Sequence, residues 1–193
     1  KLSAKGRFIG IDQDQDAIIA ASERLAPYKQ ATIIRSNYCY MVQELAARGI
    51  YKVDGILLDR GVSSYQLDNE ERGFTYRVDA PLDMRMDESA ALTAREVVNT
   101  YSYEELRRIL FEYGEERYAP RIAGAIVRAR AQQPIATTME LVDVIRSAMP
   151  GAALREKQHP AKRSFQAIRI AVNDELAAVR EMMDTAPDKL RTG

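Results

Sequence analysis

The fold is decided by the stretch Gly6-Arg7-Phe8-Ile9-Gly10-Ile11-Asp12, an apolar run that ends in an acid. Phe8–Ile11 has the length and composition of a short buried strand. The next residues, Asp14–Leu25, predict a helix because their apolar side chains recur at helical spacing and an aspartate can cap the first turn. A strand followed by such a helix is the first part of a βαβ unit.

The same alternation of strand and helix continues to residue 59. Ala31–Ile34 predicts a second strand, and Tyr40–Arg48 predicts a second helix that the following glycine ends. Val53–Leu58 predicts a third strand, which ends at Asp59. Strands separated by helices favour right-handed crossovers and a parallel sheet, so the predicted fold class is α/β.

Beyond the third predicted strand the pattern changes twice. Arg60–Ala91 shows no regular period, and loops of that length in a compact domain are often functional. The rest of the chain is mostly helical, with helices predicted over Ala94–Asn99, Tyr103–Tyr113, Glu115–Gln132, Thr138–Ala148 and Ala161–Met183. We therefore predict a helical insertion at 92–158 in a sheet domain formed by 1–91 and 159–193.

Composition excludes several classes of protein. With 46% hydrophobic and 29% charged residues, the 193-residue chain is ordinary globular material. No apolar run approaches the roughly 20 residues that span a bilayer, and the first residues lack the apolar core of a signal peptide. One cysteine and one histidine argue against a disulfide framework and a zinc site, so we expect no metal and a reducing, cytoplasmic location.

Candidate site residues follow the predicted strands. Ligands of open parallel sheets bind at the carboxyl ends of the strands, which brings together Asp12, the Asn37-Tyr38 pair and Asp59. An acid at such an end accepts hydrogen bonds from ribose hydroxyls and stands about 20 residues after a glycine-rich loop. Only eleven residues precede Asp12, so we expect that loop upstream of this chain.

Each of these residues also has a structural interpretation. Asp12 could instead cap the following helix, because acids favour helix starts. The Tyr38 ring could lie against a purine or be a half-buried core aromatic. The turn after Asp59 contains Gly61, Ser63 and Ser64, which allow a ligand to approach the backbone closely. The alternating run Asp83–Asp87 predicts a solvated loop with two packed methionines rather than a site.

Local clustering shows a basic segment that the balanced charge, 28 residues of each sign, conceals. The segment contains Arg155, Lys157, His159, Lys162 and Arg163, with only Glu156 opposing them. Such a cluster is typical of a surface that contacts phosphates. The arginines of 107–130 have glutamates within helical reach, which predicts a solvated, salt-bridged face there.

Several blocks of the chain, taken in order, resemble one family. They are Gly10–Asp14, Asp54–Ser64, Glu71–Phe74, Pro81–Met86, Tyr113–Arg117 and His159–Ala167. The family is the bacterial 16S ribosomal RNA cytosine-N4 methyltransferases, which use S-adenosylmethionine, and the resemblance covers nearly the whole chain. It implies a Rossmann-like methyltransferase sheet, incomplete in this chain, with a helical insertion that faces the RNA of the small ribosomal subunit.

The resemblance also implies roles for particular residues. Asp12 resembles the family's ribose-binding acid, and Tyr38 occupies the place of its adenine-side aromatic. Asp59 and Gln66 match the remaining cofactor-contacting positions. The chain departs from the family at Arg60, where an apolar residue is usual, and at Tyr65, where proline is usual. We expect these two departures to alter detail rather than the reaction.

The chemistry of the implied reaction suggests a role for Asp59. The N4 amine of cytosine is a poor nucleophile, so an acceptor such as Asp59 or a neighbouring carbonyl must orient it. The loop 60–87 would close over the reacting groups, and the cytosine must be unpaired or unstacked.

Two other functions remain open on the sequence: an NAD-dependent oxidoreductase, which uses the same strand-end acid, and a non-catalytic RNA-binding domain. Because the family's glycine-rich motif and later strands lie outside the chain, we expect the chain alone to have low stability, bind no cofactor and be inactive.

Overall fold

A computed structural model describes residues 3, 5–59 and 61–191. The chain divides into two compact units. Unit 1 comprises Lys1–Arg60, Met86–Ser89 and Glu175–Gly193, and unit 2 comprises Gly61–Arg85 and Ala90–Asp174. The predicted insertion, 92–158, lies wholly within unit 2, which also contains 159–174.

The described residues form two strands, β1 (Phe8–Asp12) and β2 (Ala31–Arg35). The α-helices are α1 (Gln15–Leu25), α2 (Met41–Ala46), α3 (Ser64–Asp68), α4 (Ala94–Thr100), α5 (Tyr103–Glu112), α6 (Ala119–Gln132), α7 (Thr138–Ala148), α8 (Lys162–Val172) and α9 (Glu175–Thr185). Short 3-10 helices cover Tyr38–Tyr40, Glu70–Arg72, Ala153–Arg155 and Pro187–Lys189.

The sheet of unit 1 is the predicted parallel pair. β1 and β2 run in parallel with Phe8 opposite Ala31 and Asp12 opposite Arg35, so the strands end side by side. The helix α1 connects them, which confirms the βαβ arrangement predicted from the first 35 residues. Both strands therefore deliver their following residues to the same edge, where a ligand of such a sheet binds.

The prediction of a third strand over Val53–Leu58 is wrong for the described residues. Only Val53 pairs, in an isolated parallel bridge with Leu190, and Leu57 is 94% exposed. A strand needs a partner along its whole length, and here the backbone partners of Val53 are Lys189 and Arg191 alone. Val53, Ile56 and Leu58 nevertheless pack on the cluster of Met41, Leu45 and Met182 that forms the core of unit 1.

The helix predicted over Ala161–Met183 is also wrong, because it is two helices. α8 ends at Val172 and α9 begins at Glu175, and between them Asp174 has a φ of 46°. Asparagine and aspartate adopt this left-handed conformation more readily than other residues with a β-carbon. The break coincides with the boundary between the two units.

Unit 2 is a helical bundle in which the starts of α4, α5 and α7 were predicted correctly, whereas α6 begins at Ala119 and not at Glu115. Thr93, Ser102 and Thr137 cap α4, α5 and α7, each in a capping box with a glutamate three residues later. α5 packs against α6 and α8, and α6 packs against α7. The core of the bundle contains fully buried side chains of Leu106, Ile109, Leu110, Ile122, Ile126, Leu141, Ile145 and Ile168.

The irregular stretch of unit 2 is held by specific contacts rather than solvated throughout. Gly73 adopts a φ of 67°, and Met84, which is fully buried, adopts a φ of 62°. The Met84 N–H donates to the Arg72 carbonyl at 3.0 Å, and Asn173 Nδ2 donates to the Met84 carbonyl at 2.8 Å. The two methionines of 83–87 are packed, as predicted, but Asp83 and Arg85 are only partly exposed.

Candidate functional site

The carboxyl end of β1 carries the predicted ribose-binding acid. The Asp12 Oδ1 accepts from the Asp14 N–H at 2.8 Å, and Asp14, which is buried, in turn caps α1 by accepting from the Asp16 N–H at 3.0 Å. Asp14, not Asp12, is therefore the helix cap, so the alternative interpretation of Asp12 as a cap is wrong. Asp12 is exposed at the sheet edge.

The charge state of Asp12 responds to its position. Desolvation raises the pKa of the Asp12 carboxyl above its ordinary value, while the hydrogen bond from the Asp14 N–H lowers it and the Asp14 carboxylate raises it. The residue as a whole is exposed, so water still reaches the group and limits the effect. A carboxylate that has lost part of its hydration gains more from a new hydrogen-bond donor than a fully hydrated one.

The carboxyl end of β2 is linked to that of β1 by side-chain amides. Asn37 Nδ2 donates to Gln13 Oε1 at 2.9 Å, and Asn37 Oδ1 accepts from the Cys39 N–H at 3.1 Å, which starts the 3-10 helix containing Tyr38. The half-buried Tyr38 packs against the unit 1 core, and its hydroxyl donates to the Glu175 carbonyl at 3.3 Å. Asp12 and Tyr38 are thus both fixed at one edge of the sheet, and the adenine role of Tyr38 stays a prediction.

The segment 86–89 joins this edge. Gln13 Nε2 donates to the Met86 sulfur at 3.3 Å, and Arg35 forms an ion pair with Asp87 at 3.0 Å. Asp87 also accepts from the Ser89 hydroxyl at 2.7 Å. Hydrogen bonds from Ser89 and Arg35 lower the pKa of the Asp87 carboxyl, although burial opposes them, so Asp87 stays ionised and available to Arg35.

We expect Gln13→Ala to lower the free energy of unfolding by about 1–2 kcal/mol, because it removes both amide contacts from a partly buried site. Urea unfolding followed by circular dichroism measures the change. Gln43→Ala, in an exposed position on α2, is the matched control and should change stability little. Equal losses in the two variants would contradict the linking role of Gln13.

Asp59 follows the packed residue Leu58 and is itself exposed. Asp59 therefore follows a residue packed on the core of unit 1, in an irregular segment and not in a strand, and its place at the ligand edge of the sheet stays a prediction. Its roles in cofactor binding and catalysis stay predictions. The departure at Arg60 lies outside the described residues.

Gln66 belongs to unit 2 and has a structural role of its own. It is 6% exposed, its Oε1 accepts from the Ser63 N–H at 3.0 Å, and its N–H donates to the Ser63 hydroxyl at 3.1 Å. These two bonds form the capping box of α3, which fixes the side-chain oxygen. The cofactor contact implied for Gln66 stays a prediction, and the neighbouring departure, Tyr65, is 57% exposed.

A charged network that the sequence did not predict holds the turn at Met84. Arg85 contacts both Asp83 oxygens, at 2.9 and 2.7 Å, and the buried Arg72 donates to the Arg85 carbonyl at 3.0 Å. Burial alone would raise the pKa of the Asp83 carboxyl, but hydrogen bonds from Arg85 outweigh it and lower the pKa. The alternation of charged residues and methionines over Asp83–Asp87 was the one sequence signal for this network. That alternation by itself predicts a solvated loop.

The side chains of the basic segment predicted to contact phosphates differ in their exposure and contacts. Arg155, Lys157 and Lys162 are exposed, whereas Arg163 NH1 donates to the Glu115 carbonyl at 2.5 Å and is partly buried. The His159 ring stacks on Tyr76 with a centroid distance of 4.5 Å. Burial lowers the pKa of His159, and the nearby charges of Arg146 and Arg77 lower it further, so His159 is neutral at pH 7.

The arginines of α5 form part of the predicted salt-bridged face. Arg107 pairs with Glu104 at 3.1 Å, and Arg108 pairs with Glu112 at 3.3 Å. No three histidine, cysteine, aspartate or glutamate side chains of the described residues are arranged to hold a metal ion. Within the same part of the chain, no helix is long and apolar enough to cross a membrane.

A parallel strand pair with an acid at its carboxyl edge is typical of the α/β proteins that bind a nucleoside cofactor. The chain belongs to the MraW methylase family, whose model matches residues 1–193. This membership confirms the resemblance that the sequence blocks indicated.

Curated relatives carry the name ribosomal RNA small subunit methyltransferase H. The protein of Heliobacterium mobile is 55% identical over 194 residues, which are 98% of this chain and 62% of the relative. That of Heliobacterium modesticaldum is 55% identical over 195 residues, covering 100% of this chain and 62% of the relative. That of Symbiobacterium thermophilum is 52% identical over 192 residues, which are 99% of this chain and 60% of the relative. The chain therefore spans about 60% of the length of these relatives.

Proposed function

We propose that the chain carries out, as part of a methyltransferase, the transfer of a methyl group from S-adenosylmethionine to the N4 amine of a cytidine in 16S ribosomal RNA. The observation that carries the proposal is the family match over residues 1–193, combined with an exposed acid at the carboxyl edge of a parallel strand pair. The family's name favours methyl transfer over the NAD-dependent oxidoreduction that the same acid would allow. The substrate places the site of action in the bacterial cytoplasm, on the small ribosomal subunit.

The residues at the sheet edge fit the proposed cofactor. The Asp12 carboxylate suits the two hydroxyls of a ribose, which are donors, and the aromatic ring of Tyr38 suits a purine. When bound, S-adenosylmethionine supplies an electrophilic methyl group on a sulfonium. The protein supplies orientation, and the amide link between Gln13 and Asn37 holds the residues after both strands in one arrangement.

The proposed role of Asp59 is to accept a hydrogen bond from the cytosine amine. The lone pair of that amine is delocalised into the ring, so an acceptor that fixes the amino protons favours attack along the required direction. An exposed carboxylate can reach a base that has left its stack. The proton released on methylation leaves to solvent or to this carboxylate.

The helical residues 92–158 and the adjoining basic segment are proposed to face the RNA. Arg155, Lys157 and Lys162 are exposed and cationic, which suits phosphate contacts. The charge of Arg163 lies close to the Glu115 carbonyl, so we assign it a smaller share of RNA binding.

Asp59→Ala in the full-length protein is expected to lower the rate constant of methyl transfer by roughly 100-fold, the usual cost of losing one oriented polar group at a reacting centre. Single-turnover transfer of a labelled methyl group to 16S ribosomal RNA measures the loss. Asp54→Ala is the matched control, because Asp54 is an exposed acid of the same segment that pairs with Arg191 at 2.8 Å. Full transfer and normal cofactor affinity in Asp59→Ala would contradict the assignment.

A further inference from the structure

Unit 2 presents an aromatic stack that the proposed cofactor site does not use. The rings of Tyr76 and His159 lie nearly parallel, with a centroid distance of 4.5 Å and an interplanar angle of 14°. Phe165 meets Tyr76 edge-on at 5.7 Å and is itself buried, so it supports the stack from the core side. Tyr76 and His159 remain partly exposed, so the stack reaches the protein surface.

Several exposed cations lie close to the residues of this stack along the chain. Arg77 follows Tyr76 directly, and Lys157 and Lys162 flank His159. All three are exposed, as are Arg146 and Arg155, and the structure gives none of the five an ion pair with a described residue. The one acid of this segment, Glu156, is paired with Arg117 at 3.6 Å. These charges are therefore available to an external anion, unlike those of Arg107 and Arg108.

Charge and ring chemistry assign different roles to the histidine and the arginines. His159 Nδ1 accepts from the Ala161 N–H at 3.2 Å, which holds the ring in the stack. Because Arg146 and Arg77 lower the pKa of His159 after burial has done so, the ring is neutral and presents an aromatic face rather than a charge. Arg77 follows Tyr76 directly, and the charges of both exposed arginines act on the His159 ring, so we group them with the stack.

We infer that Arg77 and Arg146, together with Arg155, Lys157 and Lys162, form around the Tyr76–His159 stack a binding surface for single-stranded RNA. An aromatic stack beside unpaired cations is the combination by which proteins bind single strands, with bases on the rings and phosphates on the cations. Bases inside a duplex are already stacked on each other and cannot use the rings. The inference rests on the proposed function for the identity of the substrate, and it adds residues 76, 77 and 146 to the basic segment.

The cationic part of the inference is tested by the salt dependence of RNA binding. Each phosphate neutralised on a single strand contributes about 0.7 to the slope of log affinity against log salt concentration. In the full-length protein, Arg77→Gln with Arg146→Gln should reduce that slope by roughly 1.4 for a fluorescent single-stranded RNA of about 12 nucleotides. Arg95→Gln with Arg121→Gln removes two exposed arginines of α4 and α6 and is the matched control. Equal slopes in the two double variants would overturn the assignment of Arg77 and Arg146.

The aromatic part is tested by separate substitutions. Tyr76→Leu should weaken single-strand binding roughly tenfold while leaving the salt slope unchanged, because one stacking partner is lost and no charge is. Tyr76→Phe keeps the ring and should bind like the parent, which separates loss of stacking from loss of folding. A thermal melt identifies any variant that fails to fold, and His159→Leu then supplies the same test. Parent binding of duplex as tight as that of single strand, or Tyr76→Leu binding like Tyr76→Phe, would overturn the inference.

A cofactor titration distinguishes a failure of this RNA-binding surface from a failure of the proposed function. The Arg77 and Arg146 double variant should bind S-adenosylmethionine normally while its RNA affinity falls. If the parent binds single-stranded RNA at this surface but transfers no methyl group, the proposed function fails and the surface stands. If methyl transfer occurs but the double variant keeps the parent's salt slope, the surface fails and the proposed function stands.

Discussion

Asp12→Ala is expected to weaken the binding of S-adenosylmethionine to the full-length protein by roughly 100-fold, since hydrogen bonds to a charged group contribute about 1.5–3 kcal/mol each and a ribose offers two hydroxyls. The carboxylate stands at the carboxyl end of β1, beside the residues that follow β2. Its Oδ1 also accepts from the Asp14 N–H, so part of any effect could come from the backbone turn. Isothermal titration with the cofactor measures the affinity.

Two further variants separate these contributions. Asp12→Asn keeps an oxygen for the Asp14 N–H and removes the charge, so an affinity between those of the parent and Asp12→Ala is expected. Glu23→Ala removes an exposed acid of α1 and should leave the affinity unchanged. Normal cofactor affinity in a folded Asp12→Ala protein would exclude Asp12 from the cofactor site and with it the central part of the proposed function.

Gly73→Ala is expected to lower the free energy of unfolding of unit 2 by roughly 3 kcal/mol or more, from left-handed backbone strain combined with steric overlap. Gly73 has a φ of 67°, and a β-carbon there would collide with the backbone carbonyl of Pro81 and lie 2.9 Å from the Asp83 nitrogen. Both contacts are backbone atoms, which cannot move as a flexible side chain can. Urea unfolding of the variant measures the loss.

Gly49 offers the control for this substitution. It has nearly the same φ, 68°, but a β-carbon there would meet nothing within 4 Å. Gly49→Ala therefore reports the cost of the backbone conformation alone, expected at about 1 kcal/mol. If the free energy of unfolding falls equally in the two variants, steric overlap with the segment 81–83 contributes nothing to the effect of Gly73→Ala.

The sequence predicted those parts of the fold whose signals are local. Periodicity and capping residues identified α4, α5 and α7, since a threonine or serine followed by a glutamate at the third position satisfies the first turn without any distant partner. The strand prediction for Val53–Leu58 was wrong because an apolar run does not reveal whether a neighbouring strand is present to pair with it. The break between α8 and α9 was not predicted because the helical period continues through Asn173 and Asp174. No local pattern indicates the left-handed conformation of Asp174 or the hydrogen bond of Asn173 to the distant Met84 carbonyl.

The sequence predicted which residues stand at the strand ends of the candidate site, but it did not predict the side-chain contacts between them. Strand ends located Asp12 and the residues after β2, because parallel strands share one edge. The link of Gln13 to Asn37 and Met86 joins residues up to 73 positions apart, and no local pattern indicates such a contact. The stack of Tyr76 on His159 was missed for the same reason. The histidine was counted in the basic segment, although burial and then the charges of Arg146 and Arg77 lower its pKa.

The discontinuity of unit 1 has a consequence for the order in which the chain folds during synthesis. Its core joins Met41 and Leu45 to Met182, and Tyr38 bonds to Glu175, 137 residues later. These contacts cannot form until α9 has left the ribosome, whereas the α4–α8 bundle of unit 2 is complete once Val172 has emerged. Since residues emerge at about 5–20 per second and local contacts form first, the helical bundle becomes structured while β1 and β2 still await their core.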